Sequence, residues 1–342
     1  MSDLPPARNA DASSAASDGS ARSPERLQRA LDTFGPFIGL AIVVVLFAII
    51  APSGFLSLYN AKTVATQTVI VGLSAIGMVF VIRSGGIDLS VGSTIALASV
   101  ATALGMKAGY GEIPSAAIGI LTGALVGAVN GGLITRLALP PFIVTLGTLG
   151  AARGVAKWLG DEQKVDAPSG WLQDAMSKGA DTSVLGLAPG VWLMIVCAAL
   201  AAVLLRLTVF GTWTTAIGSN EPTARLCGVP VERMKLAIYV LCGAAAGLAG
   251  VLQFGRLTVG DPTTATGKEL DVIAAVVIGG ASLSGGTGTI LGAMIGAFLM
   301  ATLANGCNLT GIPNYVQEIL IGAIIVGAVA LDGLRAKARG AA

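Results

Sequence analysis

The residues best placed to do chemistry are the polar side chains of GGIDLSVGS, Gly85–Ser93, where Asp88, Ser90 and Ser93 interrupt two strongly apolar runs. A second glycine-rich stretch echoes it: Gly85, Gly86, Leu89, Ser90 and Gly92 fall on Gly279, Gly280, Leu283, Ser284 and Gly286, with Asp88 on Ser282. Two readings stand side by side. A transporter made of two related halves, duplicated in parallel, would repeat such a break at its pathway. A plain glycine-rich turn between helices would look the same. An acid at mid-bilayer costs about 2.5–3.5 kcal/mol on insertion scales, so Asp88 needs a partner or water, and Arg83 stands five residues away. Ser90 or Ser93 could equally cap the next helix. Further on, Thr145, Thr148 and Arg153 follow at helical spacing and could line a polar path; threonines also bond back to their own helix. Asp88, Ser90, Thr145, Thr148, Ser282 and Ser284 are therefore the candidate pathway contacts.

Other chemistries find little support. With no histidine, the commonest metal ligand and general base is missing. Cys197, Cys227, Cys242 and Cys307 have no paired spacing, which argues against a disulfide framework or metal cluster. Gly267–Lys268 superficially resembles a phosphate loop, but six residues separate Gly260 from Gly267 and Glu269 follows the lysine. No cofactor is expected on this chain.

The elements that position these residues follow from composition. Of 342 residues, 54% are hydrophobic and only 12% charged, with mean hydropathy +0.80. A soluble domain carries about 25% charged residues, so an ordinary cytosolic enzyme is excluded. The apolar runs are continuous rather than alternating, which predicts membrane-spanning helices and not a barrel. GALVGAVNGG, Gly123–Gly132, suits close helix packing through small residues. With about 20 residues per pass, ten are expected: 34–52, 66–83, 92–109, 114–136, 141–159, 190–209, 235–255, 269–285, 288–306 and 315–332. The stretches 141–159 and 269–285 are the ones that could re-enter instead of spanning.

Residues 1–30 form an expected disordered tail, 31–335 the membrane domain and 336–342 a second tail. Ten passes put both termini in the cytoplasm, and thirteen of the 21 Lys and Arg then lie on that side, as the positive-inside rule requires. The polar loop 160–189, with Trp171 at the lipid interface, falls outside. The island 211–235 falls inside and should hold one short helix. Ser219 or Asn220 caps it, Pro222 occupies its first turn, Ala224 continues it and Gly228 ends it. A connector needs only a few residues, so a capped helix here suggests a docking surface. An interfacial turn without a partner is the plainer alternative.

Four segments taken together resemble the membrane permease of ribose-type sugar ABC importers: GGIDLSVGS, PPFIVTLGTLGAARG (Pro140–Gly154), AIGSNEPTARLCGV (Ala216–Val229) and ELDVIAAVVIGGASLSGGTGTILG (Glu269–Gly292). Their order and spacing match over most of 34–332. The resemblance implies an all-α integral membrane subunit of about ten helices with two related halves and discontinuous glycine-rich segments. It implies a homodimer in the bacterial inner membrane, with cytoplasmic ABC ATPases that bind the ATP and a periplasmic sugar-binding protein as partners. It also implies that Ser219, Asn220, Glu221, Pro222, Thr223, Ala224, Arg225 and Gly228 resemble the coupling helix that seats in an ATPase groove. Members usually carry Glu-Ala-Ala where this chain has Pro222, Thr223 and Ala224. The expected function is passage of a monosaccharide into the cytoplasm by alternating access. The rivals are import of a branched-chain amino acid or nucleoside by the same mechanism, an ion-coupled carrier that would depend on Asp88, and a non-transporting scaffold.

Overall fold

The computed structural model describes residues 22–340 except 52–53, 169, 178 and 180–182. Its elements are α1 (Arg22–Ile50), α2 (Leu58–Arg83), α3 (Val91–Lys107), α4 (Glu112–Arg136), α5 (Pro141–Leu159), β1 (Val165–Asp166), α6 (Trp171–Asp174), α7 (Pro189–Leu207), α8 (Val209–Ser219), α9 (Glu221–Leu226), α10 (Val231–Leu257), β2 (Val259–Gly260), α11 (Lys268–Ile278), α12 (Ile290–Leu309) and α13 (Asn314–Gly340). Residues 22–30 of the expected N-terminal tail and 336–340 of the C-terminal one thus belong to α1 and α13. Residues 1–21 and 341–342 lie outside the described residues.

Among the described residues, five helices are long and apolar enough to cross a membrane: α2, α4, α7, α10 and α12. Three shorter apolar stretches, Phe34–Ile50, Val91–Lys107 and Asn314–Gly327, accompany them. A helix apolar on every side belongs inside a bundle. So it is with α2: 94% of its most apolar window is buried, against 28% for α7 at the periphery. Around this post stand α10, α12, α7, α11 and α8.

The closest packing joins α4 to α10. Gly119, Gly123, Gly127 and Gly131 recur every fourth residue on α4, the spacing of one helix face. A Cβ on Gly123 would stand 2.6 Å from the Gly247 Cα, and one on Gly127 2.8 Å from the Tyr239 carbonyl carbon. Gly132 faces open space. The glycine-rich segment read as a packing surface is one, through every fourth residue only.

The two segments suspected of not spanning separate here. Pro140 and Pro141 start α5, which runs unbroken for 19 residues, ~28 Å of helix. It is not among the helices apolar enough to count as a span, because Arg153 and Lys157 dilute it. In contrast, α11 has 11 residues, ~16 Å, about half of a 30 Å hydrocarbon core. The expected pass 269–285 is therefore half helix and half irregular chain.

A sequence pattern too short to notice, β1 with β2, ties the 160–189 loop to the chain after α10. Val165 pairs with Gly260 and Asp166 with Val259, antiparallel. From β2 the chain descends along α3. Gly260 packs on Val100 and Ala103, and Ala265 reaches Gly92 at the start of α3. Arg153 of α5 holds this descending segment by donating to the carbonyls of Pro262 (2.8 Å) and Thr264 (2.7 Å).

Candidate functional site

The break after α2 begins with a Schellman ending, in which Gly85 N–H bonds the Ile82 carbonyl and Gly86 N–H the Val81 carbonyl. The break after α11 repeats it: Gly280 N–H bonds Val277 and Ala281 N–H bonds Val276. Gly85 (φ +81°) and Gly280 (φ +92°) carry the left-handed turn. The structural match is thus Gly85 with Gly280, one residue out of step with the identities read from sequence. The second break is also longer, running from 279 to 289 where the first occupies 84 to 90.

Inside the first break Asp88 is 2% exposed. Its Oδ1 accepts from the Ser90 N–H (2.8 Å) and the Ser90 hydroxyl (2.6 Å). Asn130 of α4 donates to Ser90 Oγ (2.9 Å), and the Thr148 hydroxyl of α5 donates to Asn130 Oδ1 (2.6 Å). The Cys242 thiol of α10 lies beside the carboxyl. Thr145 donates to the Ile87 carbonyl (3.3 Å) as well as to its own helix at Pro141 (3.0 Å). Tyr239 reaches the same Ile87 carbonyl from α10 (3.4 Å). Four segments thus meet on one buried carboxyl. Such a fully partnered network fixes the backbone break in place, because each polar group would otherwise be costly to bury.

Arg83 does not serve Asp88. Its Nε donates to Thr215 Oγ1 (2.8 Å) and its Nη1 to the Gly288 carbonyl. The serine caps of α3 are also not made: Ser90 spends its hydroxyl on Asp88, and Ser93 donates to the Ser90 carbonyl (2.8 Å). Ser282 and Ser284 lie in the second break, where Ser284 N–H bonds Ser282 Oγ (3.3 Å) and Ser282 N–H bonds Thr287 Oγ1 (3.3 Å).

Both breaks converge on the end of α8. A Cβ on Gly218 would land on the Arg83 carbonyl oxygen and 2.7 Å from Gly286 N, which itself donates to that carbonyl (2.9 Å). Gly85 sits in ordinary contact with Gly218 Cα, at 3.9 Å from its own virtual Cβ. One residue later the chain turns into α9. Asn220 Oδ1 accepts from Thr223 N–H (2.9 Å), Pro222 sits in the first turn, and Gly228 follows the end, as the capping residues predict. Ala224 is the buried side of α9, packed with Ile217, Val229, Val231 and Met234. Glu221 pairs with Lys235 (2.6 Å) and Arg225 with Glu232, so ion pairs tie α9 to the foot of α10. Leu226, 89% exposed, points away. The island 211–235 therefore holds the expected short helix, α9, between the body of α8 and the first turn of α10. Ser219 ends α8, and the cap is Asn220.

Sequence reasoning missed Asn130, Cys242, Tyr239 and the role of Arg83. Asn130 had a signal: an amide in the middle of an apolar helix needs a partner.

Comparison with known proteins supports the segments that carry the resemblance. A family model described as "Branched-chain amino acid transport system / permease component" matches residues 60–329. The ribose import permease protein of Bacillus subtilis (strain 168) is 40% identical over 303 residues, 88% of this chain and 93% of the relative. The L-arabinose transport system permease protein of Escherichia coli (strain K12) is 36% identical, over 95% of this chain and 98% of its own. The D-allose transport system permease protein of the same organism is 35% identical over 94% and 98%. No solved structure matches the chain. A family model over residues 60–329, together with relatives of this identity along nearly the full length, places the chain in that family of membrane permease components of transport systems.

Proposed function

We propose that the chain is the membrane-spanning permease subunit of an ATP-driven, binding-protein-dependent importer that passes a monosaccharide into the cytoplasm by alternating access. The observation that carries the substrate class is the agreement of the full-length relatives, whose names are those of ribose, arabinose and allose permeases. The family model's description mentions branched-chain amino acids, but the relatives aligned end to end are sugar permeases, which disfavours that alternative and the nucleoside one.

In this reading the subunit crosses the inner membrane ten times in two related halves, keeps both termini in the cytoplasm and pairs with a second copy. A cytoplasmic ABC ATPase binds and hydrolyses the ATP, so this chain holds no cofactor and catalyses no reaction. A periplasmic sugar-binding protein delivers the substrate from the side of the 160–189 loop. The ATPase grips α9. Arg225, Leu226 and Cys227 face the groove, Ala224 and the Asn220 cap hold the helix together, and Ser219 with Gly228 sets its two ends. Support comes from the separate capping of α9 and from its connection through Gly218 to both glycine breaks. A push on α9 would move the Arg83 corner, and with it the segments leading to Asp88 and to Ser282–Ser284.

The test is reconstitution in proteoliposomes. With the partner ATPase and binding protein, labelled ribose, arabinose or allose should accumulate only when ATP is present. Accumulation driven by an ion gradient with the chain alone would instead establish a secondary carrier. A flexible linker in place of Ser219–Gly228 should abolish both ATPase binding and uptake; survival of both would leave α9 without the coupling role.

A further inference from the structure

At the end of the bundle opposite α9 lies a cavity of about 740 Å³, within the size range of small-molecule sites. Its place follows from chain direction. Gln67 and Val71 lie some three to four turns before Arg83 on α2, and Gln253 lies six turns beyond the foot of α10. The floor is apolar, made by Ile70, Val71 and Met300. The walls are polar: Gln67, Gln253, Lys268, Glu269, Asp271 and Gln317. Gln253 and Asp271 are 6% and 7% exposed, so the chain keeps an amide and a carboxyl deep beside this space. Such groups are costly to bury without partners. Gln253 donates to Thr264 Oγ1 (2.6 Å) and Asp271 accepts from Lys268 (2.5 Å).

From this geometry we propose that the cavity is the chain's own reception site for the monosaccharide. The proposal rests on the sugar-importer reading above. A sugar ring offers adjacent hydroxyls that donate and accept, together with a flatter C–H face. Carboxylates accept from neighbouring hydroxyls, amides do both, and the aliphatic floor takes the C–H face. Lys268 is held by Asp271, but Arg256 also lines the cavity and would meet an amino-acid carboxylate, so protection by leucine or by sugar decides between the two ligand classes. Among the described lining residues none is aromatic. The site therefore holds sugar loosely, as a compartment of passage must.

The cavity also backs onto the Asp88 network. Glu269 lies against Gly92, where an added Cβ would stand 3.4 Å from its Cδ and overlap its carboxylate oxygen. Gly92 is two residues from Ser90, the residue that holds Asp88. Glu269 is thus the wall between the outer cavity and the first break, and Gly92 is small so that the carboxylate can stand there.

The experiment uses the complex with ATPase and binding protein in proteoliposomes. Glu269→Gln and Gln253→Leu each remove a charged or two-way hydrogen-bond partner and should lower sugar uptake about tenfold. ATP hydrolysis stimulated by the sugar-loaded binding protein should stay intact. Uptake at the native rate in both variants overturns the site while leaving the importer reading standing. A second measurement does not depend on core substitutions. Thr266→Cys at the rim, labelled from outside by a membrane-impermeant maleimide and read at that residue by mass spectrometry, should be protected by sugar, and not when Glu269→Gln is also present. Protection by leucine but not by sugar overturns the substrate class. A native complex that hydrolyses ATP yet imports no sugar overturns both the importer reading and the site.

Discussion

Gly218 is where α9 should transmit force, and the contact there is tight enough to test. Replacing it by alanine puts a methyl group on the Arg83 carbonyl oxygen and 2.7 Å from Gly286 N. Neither neighbour is a flexible side-chain end, so the backbone of α8 must move away from α2 or from the second break. Overpacking of this kind costs about 1–3 kcal/mol. The Gly286 N–H to Arg83 carbonyl bond, stretched from 2.9 Å, adds about 1 kcal/mol. Together about 3 kcal/mol shifts the packed corner against an open one by roughly a hundredfold. Because α9 keeps its own cap and ion pairs, the ATPase should still bind and hydrolyse ATP. Uptake per ATP in proteoliposomes should fall steeply, and the thermal midpoint of the detergent-solubilised chain should drop. Thr215→Val, which removes one acceptor of Arg83 without overpacking, should give a milder loss in the same direction. Native coupling and native midpoint in Gly218→Ala would refute the idea that this corner is closed and that force passes through it.

On α4, Gly127→Ala should lower the midpoint by colliding with the α10 backbone at Tyr239, while Gly132→Ala, facing open space, should be neutral or slightly stabilising as a better helix former. Asn130→Leu should destabilise by about 1–3 kcal/mol, since it leaves the Ser90 and Thr148 hydroxyls without their common partner; a thermal midpoint equal to that of the native chain would show the network to be dispensable. In the segment after β2, burial alone would raise the Asp261 carboxyl, but the Thr263 hydroxyl and N–H and the Lys164 ammonium outweigh it and hold its pKa below 3.8. A depressed carboxylate stabilises the fold above its unfolded value and loses that contribution as pH falls through the folded value. The stability that Asp261 contributes should therefore be lost on acidification below the ordinary carboxylate range, and Asp261→Asn should remove that step from the midpoint-versus-pH profile.

Local chemistry was legible in the chain itself. Asn220, Pro222 and Gly228 delimit α9 because capping and chain reversal depend on residues within one turn, and Pro140–Pro141 opens α5 for the same reason. Hydropathy located the buried helices because transfer into an apolar medium is a sum over neighbouring residues. Four of the six proposed pathway residues, Asp88, Ser90, Thr145 and Thr148, meet around the first break. Tertiary structure decided what could not be summed along the chain. It gave Asp88 to Ser90, Asn130 and Cys242 rather than to the nearby Arg83, because a buried carboxyl takes whichever donors neighbouring helices bring to it. It stopped α11 at Ile278 and set the two breaks one residue out of step, since the glycine that turns left-handed is chosen by the helix end it must close, not by the identities around it.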